Sequence, residues 1–315
     1  MDYLKPKIEF YRQRSFSEKM NAVFAFIREN WKPLLKFSFY LIMPVCLIQA
    51  FTMNSLTTLS FQAGVNAGAN NELFEGAILS EMMGNISVLL LCTLIGSAIL
   101  SGLIFTLMQT YDSRENRLRD VTLNDFKNLL VQNTWKYIRL ILALIFALLL
   151  TGSIMGFLIA TVSVWSLSIT IPLMLFGLLC LIPLSLVFPV YIFERDITFT
   201  EAVRKAWKLG YATLGGLLGL MIVLYFLSSA ISTITMLPWY ITMLTGSILS
   251  VTSESVMNQS VAYKFVLYIL GLIQSYGAYI ANSIGIIGIA FQYFHAREKV
   301  EGVTIESNIS NFSNL

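Results

Sequence analysis

Six long apolar runs divide this 315-residue chain, at about 34–53, 85–109, 138–162, 167–193, 213–236 and 265–293. A helix needs roughly 20 apolar residues to cross a bilayer, and each run supplies about that many or more. Within hydrocarbon, every backbone N–H and C=O must be satisfied inside the protein, so segments of this kind fold as helices. The expected class is therefore all-α: a polytopic membrane protein with six transmembrane helices in three hairpins.

The segments between the runs alternate between basic and nearly base-free. Of the 21 Lys and Arg residues, all but Lys264 fall in four stretches: Lys5 to Lys36, Arg114 to Arg139, Arg195 to Lys208, and Arg297 with Lys299. Basic residues stay on the cytoplasmic side during insertion. The pattern therefore predicts a bacterial cytoplasmic (inner) membrane protein crossing six times, with both termini in the cytoplasm. The opening residues, Met1 to Arg14, are polar, with no apolar stretch until Leu34, so no cleavable signal peptide is expected.

Composition excludes several functions. The chain is 56% hydrophobic and 12% charged, with mean hydropathy +0.71, about half the charge of a soluble domain. A net charge of +3 spread over four segments gives no nucleic-acid partner. His295 is the sole histidine, so no zinc-type cluster is expected. Cys46, Cys92 and Cys180 all lie in apolar runs and read as small buried hydrophobes. No catalytic constellation, cofactor site or metal site is expected. No run has a charged residue in its middle. The deepest polar groups are neutral: Gln49, Gln109, Gln274, Tyr276 and Asn282. Interhelical hydrogen bonding is their ordinary use, and Gln109, Gln274, Tyr276 and Asn282 are the candidates for lining a cavity.

Three basic segments share a local pattern. Ser15-Phe16-Ser17-Glu18, Thr122-Leu123-Asn124-Asp125 and Thr198-Phe199-Thr200-Glu201 each place an acid three residues after a hydroxyl. This is the capping box of a helix N-terminus. Apolar residues follow at steps of three and four: Met20, Val23, Phe24, Ile27 and Trp31; then Leu123, Phe126, Leu129, Leu130 and Tyr137; then Phe199, Ala202, Val203, Ala206, Trp207 and Tyr211. A Trp-Lys pair occurs in each copy, and Trp31, Trp135 and Trp207 are the expected interfacial anchors. Each hairpin is thus expected to follow a cytoplasmic interfacial amphipathic helix. The single domain then divides into repeat units of about 15–110, 120–193 and 197–295, with a flexible tail at 300–315.

Small residues spaced four apart (Gly152 and Gly156, Gly215 and Gly219, then Gly277, Ala281 and Gly285) predict close helix packing. Outside the membrane, Glu72 to Met83 is expected to form a short surface helix, and Pro238-Trp239-Tyr240 an aromatic anchor.

Phe193-Glu194-Arg195-Asp196 and Glu201-Ala202-Val203-Arg204-Lys205-Ala206-Trp207-Lys208-Leu209 resemble a segment of uncharacterised bacterial six-span proteins. These are similar to the membrane domain fused to some glycerophosphodiester phosphodiesterases. The stretch from Phe16 through Asn30-Trp31-Lys32-Pro33 to Pro44 resembles the first helix and span of that group. Gln292-Tyr293-Phe294 with Glu298-Lys299-Val300-Glu301-Gly302 resembles tails of its Bacteroides-group members. The resemblance implies a fold and a membrane setting. The catalytic barrel of those enzymes has no counterpart here, so no activity and no site residue carries over.

Two functions fit. One is a non-catalytic accessory or scaffold component whose partners are membrane lipids and an unidentified membrane protein. The other is a transporter or lipid-handling protein with a cavity between the three hairpins and no ion coupling. An intramembrane enzyme does not fit, because acid–base chemistry needs positioned titratable groups.

Overall fold

The computed structural model describes residues 6–65, 72–161, 172, 177, 181–194, 197–252 and 260–304. Among them the regular structure is all helix, with no strand. In chain order the elements are α1 (Phe16–Val65), α2 (Glu72–Ser113), α3 (Leu123–Thr161), a 3-10 turn (Pro183–Leu186), α4 (Val187–Phe193), α5 (Phe199–Ala212), α6 (Leu214–Thr252) and α7 (Val261–Glu301). Five of these, α1, α2, α3, α6 and α7, contain stretches long and apolar enough to cross a membrane. Much of the first part of the fourth expected run, 167–193, falls outside the described residues, and its second part holds the short apolar helix Pro183–Phe193. Of the tail expected at 300–315, residues 305–315 also lie outside the described residues, and 300–301 continue α7.

The surface of α3 makes the membrane reading concrete. Only 6% of its most apolar 18-residue window is buried. Leu142, Phe146, Leu148, Leu149 and Leu150 are all exposed. Contiguous apolar surface on this scale is unfavourable in water and needs hydrocarbon around it.

The capping residues set the helix starts. The Ser15 N–H donates to Glu18 Oε2 (2.7 Å), and the Glu18 N–H donates to Ser15 Oγ (3.3 Å). Thr198 and Glu201 repeat this at α5, at 2.9 and 3.4 Å. At α3 the Thr122 N–H donates to Asp125 Oδ2 (2.9 Å), the shorter acid making the same return contact. Two expected interfacial helices are not separate elements, however. Residues 16–33 run into the first apolar stretch within α1, with a kink at Asn30 (φ −114°, ψ 18°). Pro33 lacks an N–H and its ring crowds the preceding turn. Asn30 Nδ2 donates to the Phe26 carbonyl (3.0 Å) at that break. The second copy is likewise continuous within α3. Only α5 ends before its span, at Thr213 (φ −129°, ψ 23°), whose hydroxyl donates to the Leu209 carbonyl.

Other local expectations change too. Glu72 to Met83 is the start of α2, not a separate surface helix. Pro238 lies inside α6, and Trp239 is buried against Gly271 of α7 instead of anchoring at an interface. Gly152, Gly156 and Gly215 have nothing within 4 Å of a Cβ position among the described residues, so they are not packing sites there. Gly277 is one: a Cβ would stand 2.5 Å from Thr235 Cγ2. Cys46 and Cys92 are buried free thiols, as expected, and Cys180 lies outside the described residues.

The chain forms two compact units. Unit 1 comprises Met1–Leu34, Ser101–Leu224 and Gly285–Leu315; unit 2 comprises Leu35–Leu100 and Tyr225–Ile284. Unit 1 is built on aromatic packing. Phe10 stacks on Tyr111 (5.6 Å) and on Phe294 (4.9 Å) and meets Phe26 and Phe291 edge-on. Such pairs contribute about 0.5–1.5 kcal/mol each beyond their area. The buried stripe of α1 here is Lys19, Ala22, Val23, Phe26 and Asn30; Phe24 and Trp31 are exposed. Unit 2 consists of segments of α1, α2, α6 and α7 tied by neutral polar contacts. Examples are Ser38 Oγ with Tyr276 OH (3.0 Å) and Ser228 Oγ donating to the Ala281 carbonyl (2.9 Å).

Candidate functional site

Unit 2 holds a cavity of about 480 Å³, within the range of roughly 300–1,000 Å³ usual for small-ligand pockets. Four helices line it. Gln49 and Met53 come from α1, and Leu89, Thr93 and Ser97 from α2. Tyr225, Ser228, Ser229 and Ser232 come from α6, and Gln274, Ser275, Tyr279 and Asn282 are among those from α7. Among the described residues, no charged side chain is in the lining. Helical periodicity explains the placement. Tyr225, Ser228 and Ser232 follow at steps of three and four, as do Leu89, Thr93 and Ser97 at steps of four, so each set shares one face of its helix.

The polar groups of this cavity are partly engaged. Gln49 Nε2 donates to Thr93 Oγ1 (3.0 Å), and the Thr93 hydroxyl donates to the Leu89 carbonyl (2.8 Å). The Ser97 hydroxyl donates to the Leu94 carbonyl (2.9 Å), and that of Tyr279 to the Cys92 carbonyl (3.4 Å). Chemically the site offers hydrogen bonds and apolar contact. Its described lining has no acid or base to move a proton at neutral pH and no fixed charge to hold an ion.

A second cavity, of about 790 Å³, lies in unit 1. Its lining includes Gln109, Asp112, Asn133, Lys136, Tyr191 and Glu194, with Phe10, Phe193 and Phe294 as aromatic wall. Charge here is largely committed to structure. Glu194 takes Lys205 Nζ at 2.9 Å and Arg297 Nε at 3.7 Å, and Glu301 takes the same two cations at 2.8 and 3.0 Å. The Tyr293 hydroxyl donates to Glu194 Oε1 (3.0 Å), while Arg297 Nη1 donates to the hydroxyls of Tyr11 (3.3 Å) and Tyr293 (3.1 Å). Burial raises the Tyr11 phenol above its ordinary value, against the pull of Arg297. Lys136 donates to the Tyr191 carbonyl (3.2 Å) and lies over the Tyr191 ring.

The four residues expected to line a cavity are not gathered in one. Gln274 and Asn282 line the unit 2 cavity. Tyr276 lines a smaller apolar pocket of about 340 Å³, also in unit 2, with Phe39, Met43 and Ile231. Gln109 lines the unit 1 cavity, but both ends of its amide are engaged: Nε2 donates to the Ile192 carbonyl (3.0 Å) and Oε1 accepts from Asn133 Nδ2 (2.8 Å). Trp31, Trp135 and Trp207 are all exposed and line none of these cavities. The serines of α6 were not among the sequence candidates, although the 228–232 spacing on an apolar run was there to find. Nor was the unit 1 ion network, whose members lie up to 107 residues apart, 194 to 301. Among the described residues, no group of three or more His, Cys, Asp or Glu could hold a metal ion. Comparison with protein-family models, curated proteins and solved structures finds no match.

Proposed function

We propose that this is a non-catalytic membrane component that holds an uncharged amphipathic molecule, of the lipid class, in the unit 2 cavity. The observation that carries the reading is the lining itself: amides, hydroxyls and apolar side chains, with no charge among the described residues, on helices long and apolar enough to cross a membrane. A neutral lining suits a ligand that moves or rests without a coupling ion, since ion-coupled sites keep ionisable groups at membrane depth. The finer architecture belongs to the same proposal. It has six spans in three hairpins, entered by amphipathic segments at the inner leaflet, in a bacterial inner membrane with both termini in the cytoplasm. The Lys/Arg distribution supports the orientation. The exposed Trp31, Trp135 and Trp207 support the interfacial placement. The resemblance to the membrane domain of some glycerophosphodiester phosphodiesterases supports the setting and assigns no activity.

The test is lipid retention. Protein purified in detergent is extracted, and bound lipid is quantified by mass spectrometry beside a Ser229→Phe variant that fills the cavity. The wild type should retain lipid at a stoichiometry that the monodisperse variant loses. Equal retention by both refutes the site. In reconstituted vesicles, a proton or sodium gradient should leave ligand movement unchanged; gradient-driven movement abolished by a substitution within the spans refutes the absence of coupling.

A further inference from the structure

Two acceptors in the unit 2 cavity have no donor. Gln49 is 6% exposed, and its Oε1 has no hydrogen-bond partner among the described residues; the same is true of Gln274 Oε1. Both residues line the cavity, Gln49 from α1 and Gln274 from α7. The hydroxyl protons of Thr93, Ser97, Ser228 and Tyr279 go instead to backbone carbonyls of their own or a neighbouring helix. A buried amide oxygen left without a donor is destabilising, and each such group calls for a partner.

Resting on the reading that the cavity holds an amphipathic molecule, we propose that its occupant is an uncharged lipid whose head group carries hydroxyl donors, which Gln49 Oε1 and Gln274 Oε1 accept. The alternatives fail on chemistry. A phosphate or carboxylate head would bury a negative charge with no cation among the described lining residues to neutralise it. An ammonium head would donate, but would bury its charge with no carboxylate beside it. A simple ester carries no donor at all. A glycerol head joined to one acyl chain has two hydroxyl protons and no charge.

The test compares three probes with the same acyl chain: monooleoylglycerol, methyl oleate and oleylamine. Binding to the full-length protein in nanodiscs is measured by competition against radiolabelled monooleoylglycerol. The wild type should prefer monooleoylglycerol over methyl oleate by about tenfold or more, the sum of two modest hydrogen bonds. Gln49→Met and Gln274→Met keep the side-chain length and remove the amide. Each should lower that preference about threefold or more while leaving methyl oleate binding unchanged, which also reports that the variant is folded. Equal binding of monooleoylglycerol and methyl oleate by the wild type overturns the proposal, since water would then be serving the two oxygens, and leaves the lipid cavity standing. Preference for oleylamine also overturns it. If no probe binds, the proposed function fails and the inference falls with it.

Discussion

Replacing Gly210 with alanine puts the packing of unit 1 to a direct test. Gly210 sits in the last turn of α5, where a Cβ would stand 2.5 Å from Pro183 Cβ and 2.6 Å from Pro183 Cα. Real Cβ atoms essentially never approach a neighbour within 3.0 Å. The obstacle is a proline ring and its backbone, so it cannot rotate aside, and α5 must move off the Pro183–Leu186 turn. Overpacking of this kind costs about 1–3 kcal/mol, offset by the ~1 kcal/mol that alanine gains over glycine in a helix. The net expectation is a loss of up to about 2 kcal/mol. Gly219→Ala in α6 is the control. There the nearest atom to a Cβ is Phe16 Cε2 at 3.7 Å, an ordinary contact at the end of a side chain. That substitution should be neutral or stabilising by up to ~1 kcal/mol. The assay is the unfolding midpoint in mild detergent, followed by titration with a denaturing detergent. If Gly210→Ala is stabilised over the wild type as much as Gly219→Ala is, the close approach of α5 to Pro183 is wrong.

Four further outcomes are expected. Cysteines introduced near positions 66 or 255 of a cysteine-free protein should react with an impermeant reagent in sealed cells, and those near 117 or 300 should not; reaction at 117 refutes the orientation. Thr198→Ala removes the capping hydroxyl of α5 and should cost about 1 kcal/mol in the same unfolding assay. The Thr198 hydroxyl and N–H hold the Glu201 carboxyl below its ordinary value. Its folded pKa being depressed, the cap contributes fully above the ordinary glutamate range and fades as pH falls through the lowered value, so Glu201→Gln should flatten the acid limb of stability. Glu194→Ala leaves Lys205 and Arg297 with Glu301 as their remaining carboxylate and should cost about 2–3 kcal/mol, whereas Tyr293→Phe removes the hydrogen bond to Glu194 and the one from Arg297 and should cost about 1–2 kcal/mol. A larger loss for Tyr293→Phe than for Glu194→Ala contradicts the network.

How far each feature was legible depended on its range. The capping pairs Ser15/Glu18 and Thr198/Glu201 were readable because both partners lie within one turn, and the hydrogen bonds are where the spacing puts them. The amphipathic face of α1 was only half readable. Periodicity groups Met20, Val23, Phe24, Ile27 and Trp31, yet the buried side is Lys19, Ala22, Val23, Phe26 and Asn30. An apolar stripe does not say whether lipid or protein will cover it, and here Phe10, Tyr111 and Phe291 claim Phe26. Of the cavity candidates, Gln274 and Asn282 share a cavity because both project from one face of α7, while Gln109 is taken up by Asn133 and Ile192.

Helical class, apolar lengths, helix starts and the segments where bases gather could all be read along the chain, because each follows from neighbouring residues or from solvent preference alone. Packing in three dimensions was needed to bury Trp239, to bring Gly210 against Pro183, and to set the oxygens of Gln49 and Gln274 in one cavity without a donor. Those outcomes depend on which distant segments meet, and a neutral side chain carries no mark of its partner until the helices around it are packed.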